Sequence, residues 1–283
     1  MKKYIYFCLT ILGISACADL DSGFMETVPK PVVEGYLVPG QQVRIKVHKE
    51  IPYSADSAQS SRLEIPVSGL KIQLSGEGQT ETLAEEADGY YAASTKFLIK
   101  VGGSYQIKFS YNGTTVSAST VIPTKPQGFK ASTNVVPRAA VDLSAGFMGG
   151  GRPPGGFGGS QTNIALEWLN PNNDYFITVV ECMEANPVEI IKFPVDNTRP
   201  RPDRRFRNEP AQTSVGVVGS QSFQYFGLHR LILCKLNPDY PALYQRNGNT
   251  TQNISTPPTT ITNGLGIFTG VNADTIQIRV IPE

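Results

Sequence analysis

The apolar residues of this chain come in short alternating runs, and that period of two constrains the fold more than any other feature. Val43, Ile45 and Val47 alternate with Arg44 and Lys46; Leu70, Ile72 and Leu74 with Lys71 and Gln73; Tyr105, Ile107, Phe109 and Tyr111 with Gln106, Lys108 and Ser110. Successive side chains of a β-strand point to opposite faces, so each run turns its apolar set to one side, toward a core. The spacing of amphipathic helices is missing, and 27 glycines and 21 prolines punctuate the runs. The chain reads as all-β.

Turn residues divide it into two tandem β-sandwich domains. Asn112-Gly113 lies between the Tyr105–Tyr111 run and a strand over 115–122, the strongest short hairpin signal there is, and Asp88-Gly89 marks another turn. Pro123 and Pro126 end the series, so residues 28–125 read as an immunoglobulin-like sandwich of about seven strands. In 126–283, Ile164, Leu166 and Trp168 share a strand face, a turn follows at 170–174, and alternation resumes at Tyr175. That pattern resembles the early strands of a fibronectin type III sandwich, whose tryptophan packs between the sheets. Later strands are expected over 227–236 and 275–281. One short helix is expected over 238–246, with Asn237 as N-cap and Pro238 in the first helical position. The Gly-rich loop 146–159 has almost nothing to bury. It reads either as a flexible binding loop displaying Phe147, Met148, Arg152 and Phe157 or as a plain exposed connection.

The first residues speak of location. Lys2 and Lys3 precede an apolar run, Tyr4–Ile14, and then Ser15-Ala16-Cys17. This is the plan of a secretory signal peptide, too short for a permanent span, which needs roughly 20 apolar residues. Ile14-Ser15-Ala16-Cys17 resembles the bacterial lipobox, which makes residues 1–16 the signal, Cys17 the lipidated first residue of the mature chain and 17–27 a tether. The alternative is an ordinary secreted protein with Cys17 as a free thiol. Losing Lys2 and Lys3 takes the formal charge from +1 to −1, and a near-neutral chain lacks the basic face that nucleic acid requires. Cys182 and Cys234 would close a loop of about 50 residues if paired, contributing on the order of 4 kcal/mol; two separate buried thiols are the other reading.

Catalytic groups are scarce. The two histidines, His48 and His229, fall in different expected domains, and no zinc-protease, redox Cys-pair, nucleophile-elbow or phosphate-loop pattern occurs. "GLGIFTG", 264–270, has its third glycine one residue too late for a dinucleotide fingerprint. Glu81, Glu85, Glu86 and Asp88, and the turn 170–174, lack a calcium-loop pattern. No metal and no cofactor are therefore expected. One charge cluster stands out: "RPRPDRRFR" carries Arg199, Arg201, Arg204, Arg205 and Arg207. Its prolines keep it out of a sheet interior, so it reads as a loop. Arginine forks suit an anionic ligand or an acidic partner; a solvated loop partly neutralised by Asp203 and Glu209 is the plainer alternative.

Several stretches together resemble a family. The lipobox start, "PKPVVEGYLVPGQ", "GGSYQIKFSYNGTTVSASTVIP", and above all "LILCKLNPDYPALYQ" with "STPPTTITNGLGIFTG" are similar to the Bacteroidota lipoproteins grouped as domain of unknown function family 4249. The resemblance covers nearly the whole mature chain; Thr269-Gly270 and the Gly-rich insertion depart from it. It implies an outer-membrane lipoprotein encoded beside a TonB-dependent receptor, with an accessory role in uptake or surface assembly and no catalytic residues. Asp19 and Asp21 partly resemble the acidic tag for surface export, and Asp56-Ser57-Ala58 resembles an O-glycosylation acceptor at Ser57, with Thr275 a weaker one. The expectation is a non-catalytic lipoprotein held in the outer membrane by lipid on Cys17 that binds a ligand or docks on such a receptor. The alternative is a surface adhesin or matrix protein using the Gly-rich loop as a tip.

Overall fold

The computed structural model describes residues 29–50, 64–143, 163–193, 200–242 and 258–283. Cys17 and the segments 1–16 and 17–27, Ser57, the Gly-rich loop 146–159, Arg199 and positions 243–246 of the expected helix lie outside the described residues.

The described chain is all-β. Eight strands come first: β1 (Pro31–Leu37), β2 (Arg44–Lys49), β3 (Gln73–Gly76), β4 (Gln79–Thr82), β5 (Ala84–Glu85), β6 (Tyr90–Ala92), β7 (Ser104–Tyr111) and β8 (Thr114–Val121). Asn112 and Gly113, both at positive φ, make the β7–β8 turn as the sequence requires. The second series is β9 (Gln127–Ala131), β10 (Val135–Arg138), β11 (Val141–Asp142), β12 (Ile164–Leu169), β13 (Tyr175–Cys182), β14 (Ile191–Lys192), β15 (Arg205–Arg207), β16 (Val215–Val218) and β17 (Gly227–Leu236). A single helical turn, α1 (Asp239–Ala242), leads to the long final strand β18 (Leu265–Pro282).

Two cores result. In the first, Val33, Ile45, Val47 and Tyr91 from β1, β2 and β6 meet Leu74, Ile107, Phe109 and Val116 from the β4-β3-β7-β8 sheet. In the second, Ile164, Leu166 and Trp168 of the β16-β12-β9 sheet meet Val180, Leu231, Leu233 and Ile278 of the facing strands. Trp168 is buried, its ring 5.7 Å from that of Phe176.

Strand β18 joins the two. Its first residues pair with β1 in parallel, Val32 opposite Leu265 through Leu37 opposite Gly270, and the rest pairs with β17, Leu236 opposite Val271 through Gly227 opposite Val280. One nine-stranded sheet therefore runs through both bodies. Ile261 and Phe268, which fall within the expected second domain, 126–283, are buried in the first core. The "TTITNG" stretch makes this return possible. Ser117 and Thr262 exchange backbone hydrogen bonds, the Asn263 amide donates to the Thr115 carbonyl, and the Thr260 hydroxyl accepts from the Phe268 N–H.

Candidate functional site

At the joint between the bodies several polar groups of the described residues are matched across the gap. The Asn237 amide donates to Thr120 Oγ1 at 3.1 Å and the Val121 carbonyl at 2.8 Å, while Thr120 Oγ1 accepts from the buried Gly270 N–H at 2.8 Å. Thr269 Oγ1 donates to Asp239 at 2.9 Å, and the Asn272 amide to the Pro123 carbonyl at 2.9 Å. Lys235 pairs with Asp174 of its own body at 2.6 Å and donates to Thr124 Oγ1 at 3.1 Å, and Lys125 pairs with Asp274 at 2.8 Å. Buried polar groups cost free energy unless bonded, so this set favours one arrangement of the bodies. Asn237 is thus a cross-link between bodies, and the helix it was expected to cap is one turn, 239–242, within the described residues.

Three of the acidic residues before the 88–89 turn are also committed. Glu81 accepts from the N–H and hydroxyl of Ser94, Glu85 from the Gly69 N–H, and Glu86 pairs with Arg44. Asn170 closes its own turn by accepting from the Asp174 N–H at 2.8 Å. Among the described residues no group of three or more His, Cys, Asp or Glu is placed to hold a metal ion. His229 sits buried in the second body, its ring edge-on to Phe223 at 5.2 Å and its Nδ1 3.1 Å from the Gly227 carbonyl; burial holds its pKa below the ordinary value. His48 lies in the first body, on β2.

Cys182 and Cys234 are both free thiols, so the reading in which they bridge is corrected. On the β13–β17 ladder Cys182 stands opposite His229 and Cys234 opposite Ile177, five positions apart. An odd offset puts them on opposite faces of the sheet, and about 17 Å of strand separates them. Burial pushes the Cys234 thiol up to about 11, against a smaller opposing pull from the charge of Arg205.

The arginine cluster is exposed: Arg201, Arg204, Arg205 and Arg207 all face solvent. It is not all loop: Pro200 and Pro202 precede a true strand, β15, in which Arg205, Phe206 and Arg207 pair antiparallel with Glu181, Val180 and Val179. β15 is the outermost strand of the nine-stranded sheet. It is fastened at both ends, by the Cys182 N–H donating to the Arg204 carbonyl at 2.8 Å and the Asn208 N–H donating to the Thr178 carbonyl at 3.0 Å. The Asn208 amide also donates to the buried Thr178 hydroxyl at 2.7 Å. Arg204 reaches back to the Glu184 carbonyl. Tyr225, buried beneath, donates to the Pro202 carbonyl at 2.6 Å, and burial raises its pKa. Glu181 lies between two arginines, 2.6 Å from Arg230 and 3.7 Å from Arg205. Arg201 and Arg207 have no carboxylate partner within ion-pair distance among the described residues. Of the five arginines read from the sequence, the structure places Arg201, Arg204, Arg205 and Arg207 together on this edge. What the sequence reading missed is Arg230 and Glu181, brought in by the ladder from distant segments.

A chain of two sheet-built cores sharing one strand, with a basic free edge at one side, is the class of protein defined here. The family model described as Domain of unknown function (DUF4249) matches residues 18–277, and the chain belongs to that family. A comparison with curated proteins finds no match.

Proposed function

We propose that this protein is a non-catalytic lipoprotein of the outer membrane, anchored through Cys17, whose two bodies hold a docking edge away from the membrane for a partner such as a TonB-dependent receptor. The observation that carries the reading is the placement of the two ends. Pro31, where the described chain leads into β1, stands at the Leu265 end of β18, whereas β15 lies level with Thr275–Gln277. Ten to twelve strand residues separate those levels, about 35 Å at 3.3 Å per residue. An anchor before β1 and a binding edge on β15 would thus act at opposite ends of one braced rod. The matched polar joint supports the bracing. We read the bodies as immunoglobulin-like and fibronectin type III-like sandwiches, a reading supported in the second by the β16-β12-β9 sheet facing β15-β13-β17-β18.

The experiment is affinity purification of the full chain from its own cells in mild detergent, beside Cys17→Ala. We expect the wild type to fractionate with the outer membrane and recover a β-barrel receptor, and Cys17→Ala to leave the membrane while staying folded. Recovery of the chain alone under several growth conditions overturns the docking role; membrane fractionation of Cys17→Ala overturns the anchor.

A further inference from the structure

We propose that the free edge of β15 receives an extended acidic segment of a partner protein as an added β-strand, with an acid–apolar–acid pattern opposite Arg205, Phe206 and Arg207. The backbone register carries the first step. The bonds from Cys182 N–H to the Arg204 carbonyl and from Asn208 N–H to the Thr178 carbonyl turn the main-chain groups of 204, 206 and 208 toward β13. In an antiparallel ladder the alternate residues face the other way. Arg205 and Arg207 therefore present their N–H and C=O groups outward, and no described residue bonds to them.

Side chains select the occupant. Arg205 and Arg207 share the sheet face of Glu181, separated by about 7 Å as alternate strand residues are. Arg207 has no ion pair among the described residues, and Arg205 has only the 3.7 Å approach to a carboxylate that Arg230 holds at 2.6 Å. Both guanidinium groups remain available to a newcomer. Phe206 points to the opposite face and is 42% exposed, because no strand lies beyond it to cover its ring. A strand laid alongside would bring residues at the same spacing: two carboxylates for the arginines and one apolar side chain for Phe206. Cross-strand pairs of opposite charge and of apolar groups each favour such a ladder, and like charges oppose it. Two β15 edges would set arginine against arginine, so a second copy of this chain is the wrong occupant. The fastening of β15 by Asn208 and Thr178 means the edge is preformed, with little ordering left to pay on binding.

This rests on the reading of the protein as a docking protein, but not on lipid anchorage or on the identity of a receptor. The test uses the full chain with Cys17→Ala and a fluorescein-labelled peptide containing Thr-Glu-Val-Glu-Thr, followed by fluorescence anisotropy. The expected result is saturable binding, weakened at least tenfold by N-methylating the two Glu amides, which leaves the charges but blocks the ladder. Arg207→Pro, which removes an outward N–H that β13 does not use, is expected to abolish it; Arg205→Gln with Arg207→Gln is expected to weaken it at least tenfold without altering the circular dichroism spectrum. Lys108→Gln, on the other body, is expected to change nothing. Should Arg207→Pro fail to fold, the N-methyl peptide and the double Gln variant decide. Equal binding of the N-methylated peptide, equal displacement by inorganic pyrophosphate or phosphatidylglycerol vesicles, or no binding of the parent peptide overturns the proposal. Failure to recover a receptor from cells, with peptide binding intact, would refute the receptor reading and leave this one standing.

Discussion

The two halves of strand β18 are held by different means. From Leu265 to Gly270 it lies in parallel against β1, and Ile267, Phe268, Thr269 and Gly270 are buried on both faces. From Val271 onward it pairs with β17 in ordinary antiparallel register, and by Thr275–Val280 its residues alternate between exposed and buried. The second half is specified by side-chain alternation, the first by glycine. Gly266 takes φ +96°, and a Cβ there would overlap the Val33 carbonyl; at Gly270 one would collide with the Val121 carbonyl. Close backbone approach, and not chain flexibility, is what these two positions require.

The largest break in this comparison is Gly266→Ala. A methyl group at positive φ, driven into the β1 backbone, must distort the parallel pairing, and we expect a loss of more than about 4 kcal/mol in denaturant unfolding, or no folded protein. Gly216→Ala, at a negative-φ position in β16 where the new methyl would meet the edge of Trp168 at 3.1 Å and no backbone, should cost less. If the two variants lose equal stability, glycine is not what sets the first half apart.

This contrast also explains what could be read from the sequence. Strands with one wet face announce themselves: Tyr105, Ile107 and Phe109 are buried and Gln106 and Lys108 exposed, as their alternation requires. The stretch 267–270 gives no such signal, because burial on both faces erases the alternation, so only the end of β18 was legible and "GLGIFTG" appeared as a motif without a structural meaning. The joint was illegible for another reason. Asn237 and Thr120 are 117 residues apart, and their pairing depends on the return of β18, which no local pattern encodes. For the candidate site, the basic character of 201–207 was plain, but its strand was hidden by the flanking prolines, and its register against Glu181 is a tertiary fact.

Phe268→Ala and Ile278→Ala together sharpen the comparison, since each removes a buried side chain from one half of β18 and from a different core. We expect losses of about 3–5 kcal/mol for the first and about 2–5 kcal/mol for the second. Because β18 is common to both cores, both variants should lower one shared unfolding transition in calorimetry. Two separate transitions, with Phe268→Ala moving only one of them, would mean that the shared strand does not couple the bodies.

The smallest effect concerns the far end of the second half, where Ile278 stands opposite His229. Burial depresses the His229 pKa below its ordinary 6.5, outweighing the raising effects of the Gly227 carbonyl and Glu184. The folded state therefore holds a neutral ring while the unfolded chain, at the ordinary value, binds a proton more readily. Stability is full above 6.5 and falls as pH drops through 6.5 toward the lower folded value, because in that window the unfolded state takes up more protons. His229→Phe keeps an aromatic ring against Phe223 but cannot titrate. Urea unfolding of both proteins between pH 7.5 and 5 should show a shallower acid loss in the variant, whatever its stability at pH 7.5. Parallel curves would place the acid sensitivity elsewhere and show that this buried imidazole titrates alike in the folded and unfolded chains.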